Sequence, residues 1–188
     1  MNAEFKISLE PVSNENAQGL VKDILDGTQA KMGFVPNMYR TMGNSAGYLD
    51  TYAHGYKAFR QSSGFTPQEQ EVVFLVISGA NGCDYCTAAH SMIADKVAKF
   101  DAQLLAAIRN GDDIADEKLQ ALAHFTAQMF ESRGLISNED ADAFFAVGFS
   151  EQHILDIILA ISVKTLSNYS NHVFHTDLDR EFAAYKIS

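Results

Sequence analysis

Two cysteines, spaced so that they can work together, are the side chains of this sequence best suited to chemistry. Both lie in the segment Cys83-Asp84-Tyr85-Cys86, and their sulfurs can close a small disulfide ring. At the start of a helix, unpaired backbone N–H groups and the macrodipole stabilise a thiolate. His90 would share a helix face with both cysteines and could exchange protons with them near neutral pH. The spacing therefore predicts thiol redox chemistry.

A carboxylate precedes this segment at a position that is expected to be buried. Glu71 begins an almost wholly apolar run over residues 72–77 and shares a helical stripe with Leu75 and Ser78. A buried carboxylate is costly unless it is paired. A contact with His90 would satisfy both groups and form a proton relay to the cysteines.

Two other interpretations of the CxxC segment stay open on the residues alone. Structural zinc usually takes four Cys or His ligands in a closed shell, so that a fourth ligand here would be Glu71 or a distant histidine. The cysteines could also be inert core residues. His172 and His175 lie among polar residues and are expected to be structural or exposed. We predict neither a bound metal nor a cofactor.

The elements that position these groups are predicted to be helices, in an all-α fold. Proline occurs only at Pro11, Pro36 and Pro67. Residues 66–69, Thr-Pro-Gln-Glu, have the form of a capping box with proline at the first helical position. The helix that follows carries Glu71 and ends between Gly79 and Gly82. A second helix starts near Cys83, so we predict an antiparallel helical hairpin over residues 65–100.

Three further expectations concern the rest of the chain. Residues 5–9 alternate like a strand. Ser150 caps an apolar helix that runs to Leu166, and a separate last helix covers residues 168–185. The aromatic stripe Tyr48, Tyr52, Tyr56 and Phe59 is expected to form core or a subunit interface. The absence of a linker predicts a single domain over residues 1–188.

A weak internal repeat indicates a duplicated hairpin. A shift of 84 residues places Phe65-Thr66-Pro67-Gln68 on Phe149-Ser150-Glu151-Gln152, so that residues 149–185 would be a degenerate second copy. In this register the two cysteines fall on serines. Glu71 and His90 fall on Leu155 and Phe174, which supports inward-pointing positions for both polar groups. The alternative is that there was no duplication and that two capped apolar helices simply resemble each other.

Composition narrows the classes of function. The 188 residues are 47% hydrophobic and 20% charged, as in a globular protein, with a net charge of -10. An acidic surface is not attracted to nucleic acid or to anionic membranes. No run is long enough to span a bilayer, and residues 1–11 do not resemble a signal peptide. We therefore expect a cytoplasmic protein, where a cysteine pair is more often redox-active or metal-binding than a structural disulfide.

With Glu71, Cys83, Cys86 and His90 at these spacings, the sequence resembles the alkylhydroperoxidase-D and carboxymuconolactone decarboxylase superfamily. The core of the likeness covers residues 65–99. A longer likeness to the superfamily's peroxidase-related branch includes Gly-Phe-Val-Pro-Asn at residues 33–37, Gly-Phe-Ser at 148–150 and Asn-Tyr-Ser-Asn-His at 168–172. The resemblance implies an all-helical fold that assembles as trimers or hexamers.

The resemblance also implies roles for the four residues. Cys86 would be the peroxidatic thiol, Cys83 the resolving thiol, and Glu71 and His90 the relay. The best-known peroxidase members carry a second histidine inside the CxxC, where this chain has Tyr85. Helix-terminus reasoning by itself favours Cys83 as the more exposed nucleophile, while the resemblance favours Cys86.

The function expected on this basis is a thiol peroxidase or disulfide oxidoreductase. It would reduce a hydroperoxide and be regenerated by an external dithiol or redox protein. One alternative is a decarboxylase of a cyclic lactone acid, as in the other branch, although that chemistry needs no cysteine pair. A non-catalytic oligomeric binding or redox-sensing protein is the other alternative.

Overall fold

The computed structural model describes residues 2–187, and this part of the chain contains helices and no strand. The prediction of an all-α fold is confirmed. The α-helices, in chain order, are α1 (Gly19–Met32), α2 (Asn37–Met42), α3 (Ala46–Ser62), α4 (Pro67–Ala80), α5 (Asp84–Lys96), α6 (Ala102–Asn110), α7 (Glu117–Glu131), α8 (Asn138–Ala146) and α9 (Glu151–Phe174). A short 3₁₀ helix, Arg180–Tyr185, follows α9.

α4 is the central helix, and its start is fixed by the predicted capping box. Thr66 Oγ1 accepts a hydrogen bond from the Glu69 backbone N–H, and the Glu69 carboxylate accepts one from the Thr66 N–H at 2.7 Å. These bonds satisfy two of the donors that a helix start leaves free. α4 packs against α5, α7 and α9, which is why its sequence is apolar on nearly every side.

The turn between α4 and α5 depends on one glycine. Gly82 has φ +64°, a left-handed conformation that costs glycine little and other residues more. The Cys83 N–H donates to the Ser78 carbonyl at 2.9 Å, and Cys83 is the N-cap residue of α5. Because α4 and α5 then pack against each other, the turn brings residues of α5 beside Glu71 on α4.

The expected strand at residues 5–9 is wrong. The segment is irregular, and the Ile7 N–H donates to the Val173 carbonyl at the end of α9. Phe5 and Leu9 are exposed. An alternating pattern forms a strand only where another strand can pair with it, and residues 2–187 offer none.

The expected break near Leu166 is also wrong, because α9 is one helix of 24 residues. Neither glycine nor proline interrupts its sequence. The polar residues that looked like a helix end are buried on one side of its C-terminal half: Ser167, Asn168, Ser170 and Asn171. The last predicted helix is therefore the end of α9 followed by the short 3₁₀ helix, and residues 149–185 do not form a second hairpin.

The aromatic stripe of α3 belongs to the core. Leu49, Tyr52 and Phe59 are buried within the chain, where α3 packs against α9 and α1. The Tyr48 hydroxyl donates to the Leu166 carbonyl at 2.6 Å. Tyr52 and Phe59 of the stripe therefore serve as core, while Tyr48 and Tyr56 are partly buried against it.

For residues 2–187, no helix taken singly has the length and hydropathy of a membrane span. α8 and α9 meet that requirement only as a pair, which is bent by 109°.

Candidate active site

The two sulfurs lie side by side at the start of α5, beneath the C-terminal half of α9. Cys83 and Cys86 are free thiols, and each is only 2% exposed. The Asn171 amide nitrogen lies 3.3 Å from the Cys86 sulfur and 3.8 Å from the Cys83 sulfur. One side-chain amide therefore donates toward both sulfurs, an arrangement that stabilises negative charge on either.

A small cavity gives access to one of the two cysteines. It has a volume of about 150 Å³, and it is lined by Cys83 rather than Cys86. Asn171, His172 and Thr176 contribute to its wall, and each has a buried polar atom with no hydrogen-bond partner among the described residues. Helix-terminus reasoning expected Cys83 to be more exposed than Cys86, and this is wrong because the two are equally buried. Cys83 is nevertheless the cysteine that lines the cavity.

The predicted contact between Glu71 and His90 is present. The His90 Nδ1 atom lies 2.8 Å from one Glu71 carboxylate oxygen, and Arg60 Nη1 lies 2.5 Å from the other. Burial raises the pKa of Glu71, but His90 and Arg60 together hold it below its ordinary value, so the carboxylate is ionised. Because an ionised carboxylate accepts, His90 Nδ1 carries a proton and its Nε2 atom is left as the basic nitrogen.

The imidazole of His90 is neutral at physiological pH. Burial and the positive charge of Lys164 lower the pKa of His90 to about 4, although Glu71 opposes the shift. His90 also lies against the Phe74 ring, with 4.8 Å between the ring centroids. A neutral, oriented imidazole can accept or relay a proton without adding charge to the site.

The two thiols differ in their readiness to ionise. Burial raises the pKa of Cys86, but the hydrogen bond with Cys83 and the charge of Lys164 more than offset it and hold the pKa well below the ordinary value. The hydrogen bond with Cys86 raises the pKa of Cys83, and burial raises it further. When one of two adjacent thiols ionises, the other keeps its proton and donates it. The structure therefore favours Cys86 as the thiolate.

The hydroxyl of Tyr85, the residue just before Cys86, is bound to other elements rather than to the sulfurs. This hydroxyl donates to Asp179, and it accepts a weaker hydrogen bond from the Met38 N–H. Asp179 also accepts from the Asn37 N–H at 3.1 Å. Tyr85 therefore ties the start of α5 to α2 and to the C-terminal segment.

Sequence reasoning found Glu71, Cys83, Cys86 and His90, and the structure brings all four together. It missed Arg60 on α3 and the α9 residues Lys164 and Asn171. The one available signal was in α9, where Lys164, Asn168 and Asn171 recur at helical spacing and would share one face of the helix. Residues 2–187 contain no group of three or more His, Cys, Asp and Glu side chains placed to hold a metal ion.

The carboxymuconolactone decarboxylase family model matches residues 47–128, which include all four predicted site residues. A search of curated proteins finds no match to the chain.

Several solved structures share the fold. An alkylhydroperoxidase AhpD core, peroxidase-related protein from Ralstonia eutropha is 22% identical with a TM-score of 0.78, covering 93% of this chain and 96% of that one. A peroxidase-related protein from a Silicibacter species is 20% identical with a TM-score of 0.77, covering 96% and 95%. A cysteine-to-alanine variant of the debrominase Bmp8, solved with 2,3,4-tribromopyrrole, is 18% identical with a TM-score of 0.78, covering 96% of both chains.

Proposed function

We propose that this chain, whose residues 47–128 match the carboxymuconolactone decarboxylase family model, is a thiol-dependent peroxidase or disulfide oxidoreductase of the alkylhydroperoxidase-D type with an antioxidant role. The observation that carries the proposal is the Asn171 amide, which lies within 3.8 Å of both sulfurs. A shared donor at that distance keeps the sulfurs close, as a cycle between dithiol and disulfide requires.

In the first step, the Cys86 thiolate attacks the terminal oxygen of a hydroperoxide. The O–O bond breaks, Cys86 becomes a sulfenic acid, and the departing alkoxide or hydroxide takes up a proton. The Asn171 amide lies where it can stabilise the charge on the sulfur. His90, which is paired with Glu71 on α4, lies one helical turn beyond Cys86 on α5, where it can supply or accept protons.

In the second step, the Cys83 thiol condenses with the sulfenic acid, and water leaves as the disulfide forms. An external dithiol then attacks the disulfide and is itself oxidised, which restores two thiols. The cavity supports approach of this reductant from the side of Cys83, because Cys83 lines its wall. The net reaction converts a hydroperoxide and a dithiol into an alcohol, water and the oxidised dithiol.

Mass spectrometry on single variants tests this order of events. After one equivalent of hydroperoxide, Cys83→Ser should accumulate a sulfenic acid on Cys86, whereas Cys86→Ser should react slowly. The reverse result would make Cys83 the nucleophile. No oxidation in either variant, and no peroxide turnover with a dithiol donor, would contradict the proposal and favour a non-catalytic binding or sensing protein.

A decarboxylase of a cyclic lactone acid is the alternative enzyme within the superfamily. The double variant Cys83→Ser, Cys86→Ser distinguishes this alternative from a peroxidase. That variant should lose peroxide reduction completely, while retained turnover of a lactone acid would support the decarboxylase.

We also propose that the protein is a cytoplasmic homo-oligomer, a trimer or hexamer. The support is the family resemblance and a group of exposed apolar side chains on α9 and the loop before α8: Leu135, Leu155, Ile158 and Tyr169. A monomer would leave these side chains in water. Sedimentation at micromolar concentration should show a species heavier than the 20.7 kDa chain, and a monomer alone would contradict the proposal.

A further inference from the structure

We propose that Lys164 is a positioning residue whose buried ammonium group is the counter-cation that holds Cys86 as a thiolate. The inference deepens the proposed function and rests on it only for the consequence in turnover. The ionisation itself is a property of the reduced protein and can be measured without any peroxide.

The first support is the burial of Lys164. Its side chain is 1% exposed, and no carboxylate among residues 2–187 lies within ion-pair distance of its ammonium group. The ammonium group lies 5.5 Å from the centre of the Phe74 ring, a cation–π contact that offsets part of the cost of burial. A buried ammonium group is costly without a negative partner, so the surroundings of Lys164 favour an anion nearby.

The second support is the balance of charge in the cluster. Glu71 is ionised, and Arg60 neutralises it across a 2.5 Å ion pair. His90 is neutral, so Lys164 leaves the cluster with one uncompensated positive charge. A thiolate on Cys86 restores neutrality.

The remaining titratable groups that pack around the sulfur do not supply that anion. Burial raises the pKa values of Tyr52 and Tyr56 on α3 and of Tyr85 on α5, so these phenols stay protonated. Cys83 keeps its proton and donates it to Cys86. The groups at the edge of the site are His172 on α9, Asp84 in the first turn of α5, and Asp179, which accepts from Tyr85.

The third support is that Lys164 lies on the same helix as Asn171, the residue whose amide donates toward the sulfurs. Lys164, Ser167 and Asn171 are all buried and lie at helical spacing along one face of α9. Asn171 contacts both sulfurs, so this face of α9 is the one that covers the CxxC segment. The same face therefore offers Cys86 both a hydrogen-bond donor and a positive charge.

One consequence concerns His90. If Lys164 holds the thiolate, His90 does not have to take the proton from Cys86, and it stays available for a proton of the substrate. A Lys164 variant should therefore affect the ionisation of the thiol more strongly than a His90 variant does.

The test compares Lys164→Met, which keeps the length of the side chain, with Lys164→Arg, which keeps the charge. Each is made in a Cys83→Ser background, and the rate of Cys86 alkylation is followed against pH, together with the ultraviolet absorbance of the thiolate. Lys164→Met should raise the midpoint by about 1–3 pH units, the usual effect of removing a close opposite charge. Lys164→Arg should restore most of the shift.

Lys118→Met is the matched control. Lys118 also makes a cation–π contact, at 4.7 Å from the Phe149 ring, and it pairs with Glu69 away from the sulfurs. Its substitution should leave the midpoint unchanged. A folded Lys164→Met variant with the same midpoint as Cys83→Ser alone would overturn the inference.

A second measurement serves if Lys164→Met does not fold. The folded state depresses the pKa of Cys86, so the thiolate should stabilise the reduced protein above the ordinary thiol pKa, and that stability should be lost as the pH falls through the folded value. Cys86→Ser should lack this component of the pH dependence. Identical curves for wild type and Cys86→Ser would overturn the inference. Loss of peroxide turnover alone would instead count against the proposed function.

Discussion

α4 and α9 begin alike and end differently. Each starts with a capping hydroxyl whose partner is three residues on, Thr66 with Glu69 and Ser150 with His153. α4 stops at Ala80, whereas α9 continues to Phe174. The shift of 84 residues that aligns the two helices places Gly82, just after α4, on Leu166, which lies within α9. The two helices differ in length where these two residues differ.

The divergence places the chemistry between the two segments. The break after α4 puts Cys83 and Cys86 in the first turn of a new helix, packed beside Glu71. The unbroken α9 instead carries Lys164 and Asn171 past the sulfurs on one face. The thiols come from the turn after α4 and the start of α5, whereas the amide and the positive charge come from the continuous helix α9. Three experiments probe this difference, in decreasing order of expected effect.

The largest effect on stability should come from the pair formed by Glu71 on α4 and His90 on α5. The residues that lie 84 positions further on, Leu155 and Phe174, are apolar. Folded His90 has a pKa of about 4 against an ordinary value of 6.5, so its contribution is complete above pH 6.5 and is lost as the pH falls toward 4. The wild type should lose up to about 3 kcal/mol of unfolding free energy from this group over that range. His90→Gln should show a flatter curve in urea unfolding measured at several pH values.

His54→Gln is the control for this experiment, because His54 is an exposed histidine on α3. Its pH dependence should match that of the wild type. Parallel curves for wild type and His90→Gln would show that His90 is not held neutral by the fold.

A smaller effect is expected at the turn that separates α4 from α5. Gly82→Ala places a Cβ atom in the left-handed region at φ +64°, which should lower the unfolding free energy by about 1–2 kcal/mol. Gly79→Ala is the control within α4, where an added Cβ atom meets nothing within 4 Å, and it should stabilise by up to about 1 kcal/mol. Thermal denaturation of both variants decides the matter, and a neutral Gly82→Ala would remove the explanation given for the break.

The smallest effect concerns the bond that joins the end of α4 to α9. The Asn81 amide donates to the Asn168 side-chain oxygen at 2.9 Å. A double-mutant cycle with Asn81→Ala and Asn168→Ala should give a coupling of about 1 kcal/mol. The exposed Lys22–Asp26 pair on α1 is the comparison and should give no more than about 0.5 kcal/mol. A zero coupling at Asn81 would mean that packing alone aligns the two segments.

Patterns within a few residues of each other were dependable in this sequence. The capping box, the glycines after α4 and the spacing of Cys83, Cys86 and His90 all act over one or two helical turns, where backbone geometry alone fixes which side chains meet. The inward orientation of Glu71 followed from the apolar run around it. Local pattern failed at residues 5–9 and near Leu166, because an alternation needs a neighbouring strand and a polar stretch ends a helix only when water can reach it.

The sequence by itself determined the all-helical fold, the thiol pair and the buried pair of Glu71 and His90, since each follows from short-range spacing. Only the tertiary structure decided which cation and which amide face the sulfurs. Asn171 is 85 residues from Cys86, and no periodicity relates positions so far apart. From the sequence alone, Lys164 is expected to lie at the surface, because lysine is rarely buried. Its burial depends on α9 packing against α3, α4 and α5 at once, which brings a positive charge into the interior beside the thiol that can balance it.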